Sequence, residues 1–109
     1  MSHYADYIKE REGFEIVEGD QGFMSFIIKG DECYIRDAYV APEARMIGAG
    51  RMFMEEIEKI AKERGCSKIS GSVRPSANHS TESMKALLAG GFQLHSASAD
   101  AIWFVKGVS

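Results

Sequence analysis

Between a strand-like run from Cys33 to Val40 and a helix-like run from Arg51 to Arg64 lies the segment Arg45-Met46-Ile47-Gly48-Ala49-Gly50. Two glycines without Cβ atoms let a ligand approach the backbone closely, and a helix start presents unpaired N–H groups with a partial positive charge. A phosphate or diphosphate is the anion such a loop would grip, and Arg45 and Arg51 stand where guanidinium groups could meet its oxygens. The competing reading is a glycine-rich turn that opens a helix beside two solvated arginines. Other reactive residue types are sparse. Cys33 and Cys66 form no CxxC pair and have no histidine cluster beside them. That spacing indicates neither zinc nor a disulfide framework, so no metal is expected and both thiols are expected to be reduced and buried.

The elements that must position this loop follow from periodicity. Tyr4, Ile8 and Arg11 share helical spacing and the segment stops at Gly13, which predicts a short N-terminal helix. Phe14 to Glu18 and Phe23 to Lys29 read as strands joined by Gly19-Asp20-Gln21-Gly22, and Gly30-Asp31 turns the chain into Glu32 to Val40. Three successive antiparallel strands thus precede the loop. Beyond it, Met52, Phe53, Ile57, Ile60 and Ala61 form an apolar stripe, with Glu55–Lys59 and Glu58–Lys62 pairs on the wet face. Arg64-Gly65 ends that helix, and Lys68 to Val73 completes a βαβ unit whose two strands can run parallel. A polar loop from Arg74 to His79 leads to a helix through Met84, Leu87 and Leu88, stopped by Gly90-Gly91. Phe92 to His95 and Ala101 to Lys106 make a closing hairpin. The order predicts an α/β (α+β) layer structure with a mixed sheet, in a single domain spanning residues 1–109.

Composition sets the outer bounds. With 45% hydrophobic and 27% charged residues the chain has ordinary globular values. A net charge of -3, with acids and bases interleaved, argues against a general nucleic-acid binder, which would show a basic surplus. No apolar run approaches the roughly 18 residues of a membrane span, and the N-terminus lacks a basic segment followed by an apolar one. A cytoplasmic protein without a membrane partner is the expectation.

The punctuation of this order resembles the GNAT superfamily of acyl-CoA-dependent N-acetyltransferases over about residues 14 to 106. Tyr39-Val40-x-Pro42-x-x-Arg45-x-x-Gly48-x-Gly50 is similar to the family's strand-end signature and its pyrophosphate motif, [Q/R]-x-x-G-x-[G/A]. Arg64-Gly65-Cys66 matches as well, and Asn78 followed by a helix ending Gly91-Phe92 is similar to a second family block. The resemblance implies a mostly antiparallel sheet with one splayed parallel strand pair flanked by helices, and acetyl-CoA as cosubstrate without a metal. It implies that backbone amides from Met46, Ile47, Gly48, Ala49, Gly50 and Arg51 hold the pyrophosphate, and that Tyr39 and Val40 meet the pantetheine arm. Asn78 would bond the pantetheine or cap a turn. The acceptor would be a primary amine of a small molecule, a protein lysine or a protein N-terminus, attacking the thioester directly in a ternary complex.

That chemistry directs attention to proton carriers. A cationic amine must lose a proton before it attacks, and Asp37, on the strand before the loop, is the leading candidate base; alternation places it on the sheet face opposite Arg36 and Ala38. A simple surface acid is the competing reading, and Glu43 and Glu82 are weaker candidates. Where many family members carry a tyrosine that protonates the leaving thiolate, this chain has Leu87, so Ser83, His79 or water would take that role. At most one short N-terminal helix is expected where longer members have two, and the acceptor pocket would then be open or completed by a second subunit in a homodimer. A catalytically degenerate module that binds CoA or another protein is the alternative function. A nicotinamide-binding reading is weaker, because Gly48-x-Gly50-x-x-Phe53 lacks a third glycine and follows antiparallel hairpins.

Overall fold

In the computed structural model, which describes residues 3–43, 49–76 and 80–108, helix α1 (His3–Glu12) ends where Gly13 turns left-handed at φ 76°. Strands β1 (Glu15–Gly19), β2 (Gly22–Lys29) and β3 (Glu32–Val40) follow as an antiparallel meander. Then come α2 (Ala49–Glu63), β4 (Lys68–Val73), α3 (Ser80–Ala89), β5 (Gln93–Ser98) and β6 (Ala101–Gly107). The six strands form one sheet in the order β1-β2-β3-β4-β6-β5, and β3–β4 is its parallel pair. The expected mixed, mostly antiparallel sheet is therefore present. β6 rather than β5 pairs with β4, which leaves β5 as an edge.

Strand alternation divides the sheet into two unlike faces. Met24, Phe26, Cys33, Ile35, Ile69 and Phe104 point to one face and meet Ile57 and Ala61 of α2, with Met84 and Leu87 of α3 packed on the same cluster. Phe26, Ile57 and Ile69 are at most 1% exposed. Burying each such side chain is worth roughly 1.5–3 kcal/mol, so this face holds most of the stabilising apolar area. The opposite face carries α1, whose Ala5 and Ile8 are buried and whose following Gly13 lies against Ile27. Further along that face, serines on β4 leave room for Tyr34 and Trp103 to meet, ring centroids 5.8 Å apart.

Some details of packing and strand ends differ from the sequence reading. Met52 is 65% exposed, because it precedes Ile57 by five positions and so sits about 140° around the helix from it. Tyr4 is 55% exposed, since Ala5 and Ile8, three positions apart, form the buried stripe of α1. Glu58 bonds Lys106 on β6 rather than serving a wet-face pair with Lys62, its place next to Ile57 putting it at the margin of the buried stripe. Ser96 to Ser98 extend β5, so the closing turn is only Ala99-Asp100.

Candidate functional site

The site begins with one extra residue in β3. Ser25 pairs with Asp37 and Phe26 with Ile35, so Arg36 has no partner of its own on β2 and forms a β-bulge. The parallel ladder between β3 and β4 ends in the same place, at Ile35–Gly71. Both strands continue, β3 along β2 as far as the Gly22–Val40 pair and β4 along β6 as far as Val73–Ile102. Bulges bend a strand and increase its twist, which accounts for the two strands parting here.

Two glycines shape the mouth of this split. Gly22 has φ 152°, and a Cβ on it would lie 2.0 Å from the Tyr39 carbonyl oxygen, so only glycine lets the β1–β2 turn close on the end of β3. Gly50, in the first turn of α2, faces Val40, where an added Cβ would sit 3.6 Å from Cγ2. The helix start is thereby seated on the strand end, and its first turn contains no acidic residue to occupy the positive end of the helix. Alongside, Val17, Gly19, Asp20, Gln21, Met52, Phe53 and Glu56 line an open groove of about 380 Å³.

On the α1 side of the split, charged groups converge around the bulge. The Arg36 guanidinium lies 3.9 Å from the centroid of the Phe14 ring and bonds the Glu12 carboxylate at the end of α1. Its Nε donates to Asp37 Oδ2 at 3.1 Å. Ser25, only 2% exposed, accepts the Asp37 backbone N–H at 3.2 Å and directs its hydroxyl to Oδ2 at 3.4 Å. Asp37 and Arg36 therefore share a face, contrary to the simple alternation, because the bulge interrupts it; Ala38 faces the other way, opposite Met24. Ser25, Arg36 and Glu12 were not singled out from the sequence. A lone polar residue within the apolar run Phe23–Ile28 was the signal that could have exposed Ser25.

Beyond the end of β4, Asp100 ties the next loop to the β5–β6 turn. It accepts the Ser76 hydroxyl at 2.6 Å and the Ser76 N–H at 3.2 Å, with Arg74 Nε at 3.5 Å. The Ser76 hydroxyl, then its N–H, hold the Asp100 carboxyl below its usual range.

The other expected site residues distribute as follows. Tyr39 is 48% exposed on the Asp37 side and faces Phe23, ring centroids 6.3 Å apart, while Val40 is half-buried against the α2 start. Ala49 and Gly50 open α2, and the exposed Arg51 side chain pairs with Glu55 at 3.4 Å on the helix surface. Glu43 is exposed after β3. Ser83 is exposed on α3, on the sheet face away from Asp37, so these two do not share a face. Leu87 packs against the core cluster. Arg45, Met46, Ile47, Gly48, Asn78 and His79 lie outside the described residues, and so does the side chain of Glu82. Cys33 and Cys66 are free and buried as expected, and burial pushes the Cys33 thiol up to about 12, which removes it as a nucleophile at neutral pH. Among the described residues no group of three or more His, Cys, Asp or Glu could hold a metal ion.

Solved acetyltransferases share this fold. A nourseothricin acetyltransferase matches at 23% identity with a TM-score of 0.72, over 86% of this chain and 64% of that one. The PaiA N-acetyltransferase from Thermoplasma acidophilum, solved with coenzyme A, matches at 18% identity with a TM-score of 0.77, over 92% and 65%. The ribosomal-protein-S18-alanine N-acetyltransferase from Escherichia coli matches at 18% identity with a TM-score of 0.69, over 100% and 78%. This chain thus spans just under two thirds of the length of the first two, and at these identities the likeness is one of fold. No curated protein matches at the level of sequence. The sequence does match the Acetyltransferase (GNAT) family over residues 3–85, more than half its length, and the split parallel pair with a helix start seated at its mouth accords with that match: the chain belongs to the GNAT acetyltransferase family.

Proposed function

We propose that the protein transfers an acetyl group from acetyl-CoA to a primary amine by direct attack in a ternary complex. The observation that carries this reading is the end of β3–β4 pairing at Ile35–Gly71, with the first turn of α2 seated on Val40 just beyond. Two strands that part offer an extended ligand backbone edges to bond, much as an added strand would. Tyr39 and Val40 would bond the pantetheine arm there. The backbone N–H groups from Met46 to Arg51 would hold the pyrophosphate at the start of α2, with Arg45 and Asn78 as further contacts. Bound acetyl-CoA supplies a thioester carbonyl open to a neutral amine. Asp37, its Oδ2 anchored by Arg36 and Ser25, takes the proton that a cationic amine must shed. Ser83, His79 or water returns a proton to the leaving side. The acceptor is a small-molecule amine, a protein lysine or a protein N-terminus. Folds of comparable likeness include both a nourseothricin and a ribosomal-protein enzyme, so the fold alone does not choose among them. Cytoplasmic location and a homodimer that completes the acceptor side belong to the same reading.

The test has two stages. Millimolar CoA is expected to raise the melting temperature, since a ligand at 100-fold excess over its Kd stabilises by about 2.7 kcal/mol. Absence of any shift would sink the reading. Acetyl-CoA with a panel of amines should then release free CoA thiol, and mass spectrometry after incubation with a lysate should identify the acetylated product. The packing of Leu87 into the core, where many members place a tyrosine, favours a second reading, a module that binds CoA without turnover. CoA binding without thiol release from any amine would favour that module.

A further inference from the structure

We propose that Arg36 is a positioning residue, which fixes the Asp37 carboxylate at the strand split and couples it to α1 through Glu12. This rests on the reading of Asp37 as the base in acetyl transfer. Arg36 is the extra residue of the bulge, so its side chain leaves the sheet next to that of Asp37 instead of opposite it. Three contacts use three different parts of one guanidinium. Its plane covers Phe14 at 3.9 Å, NH1 bonds Glu12, and Nε meets Asp37 Oδ2 at 3.1 Å. A flat, permanently charged group can make all three at once, which a lysine ammonium cannot. Ser25 closes the arrangement by gripping the Asp37 amide and the same Oδ2. The guanidinium side chain is 27% exposed against 58% for that of Asp37, so the positioning group is the better shielded and its carboxylate partner the more open to an acceptor.

The experiment compares R36Q, R36K, E12Q, D37N and R36Q/D37N, measuring acetyl transfer, CoA-induced melting shift and amide hydrogen exchange. R36Q is expected to lower kcat tenfold or more while leaving KM for acetyl-CoA and the CoA-induced shift within about twofold. In the D37N background the same change should alter kcat by less than about twofold, because two residues acting through one carboxylate are not additive. R36K should recover part of the loss, and E12Q should lower kcat by less than R36Q does. Because Ser25 Oγ meets both the Oδ2 and the N–H of Asp37, a carboxylate released by R36Q loosens both contacts, and exchange at the Asp37 amide should quicken about tenfold, a reading that needs no turnover. Independent, multiplying losses from R36Q and D37N, or unchanged Asp37 exchange in R36Q, would overturn the proposal. If D37N transfers acetyl as well as the parent while R36Q still frees the Asp37 amide, the base assignment falls and the positioning contact stands.

Discussion

The two faces of the sheet do different work. Against α2 and α3 the face is a continuous apolar layer in which Phe26, Cys33, Ile57, Ala61 and Ile69 are essentially sealed from water. Against α1 it is a patchwork: the buried Ser25, the Arg36–Glu12 and Arg36–Asp37 ion pairs, Ser70 bonded to Glu32, and Tyr34 lying against Trp103. The same six strands serve both, so the difference comes from what covers them. One face derives its strength from apolar area, and the other arranges charge beside the strand split. Apolar packing and the charged cluster are thus separated by the thickness of one sheet.

Mutations can break or sharpen that contrast. Ile57→Ala removes a fully buried side chain from the apolar face and should cost about 2–5 kcal/mol of unfolding free energy, read by urea titration. Gly22→Ala places a methyl group against the Tyr39 carbonyl at a φ that side chains rarely adopt. It should cost roughly 1–3 kcal/mol and weaken CoA protection more than Ile57→Ala does, because the strain falls at the end of β3. Trp103→Ala deletes a larger side chain from the α1 face yet should cost only about 1–2 kcal/mol in thermal unfolding, since it is half-buried and water can enter the space it leaves beside Tyr34. A loss equal to that of Ile57→Ala would show the faces to be energetically alike.

The smallest effect concerns pH. Arg64 hydrogen-bonds Glu15 through two nitrogens at 3.0 and 2.7 Å, and that bond, ahead of any other cause, lowers the Glu15 carboxyl below its usual value. A depressed folded-state value means that the stabilisation is complete above the unfolded carboxyl's range and fades as pH falls through the folded one. Arg64→Gln should therefore lower the melting temperature slightly at neutral pH and match the parent in acid. A difference that persists well below the carboxylate range would discard this ion pair as its source.

Local pattern disclosed the order of the elements, the meander and the strand–helix–strand unit, because helical and strand periods and turn residues are set by neighbours in the chain. What it missed depends on partners far away or on angle. A stripe drawn wide enough around α2 to take in Met52 overreaches, since Met52 lies about 140° from Ile57 and is exposed. Helical spacing pairs Glu58 with Lys62, four residues on, whereas its partner Lys106 lies on β6. Counting by twos along β3 assumes an unbroken ladder, so it puts Arg36 and Asp37 on opposite faces and hides the cluster that joins them. Period-two reasoning has no means of detecting a residue inserted into one strand of a pair.

That inserted residue also inverts the parity of β3. Before it, the odd-numbered Cys33 and Ile35 face α2; after it the even-numbered Ala38 and Val40 do, opposite Met24 and Gly22. Without the inversion Val40 would turn toward α1 and Tyr39 would confront Gly50 across the helix start. A single residue thus acts as a phase shifter that lets one strand serve the core with its first half and meet the helix start with its second. Deleting or adding a residue between Ile35 and Tyr39 should accordingly be less well tolerated than most point substitutions there.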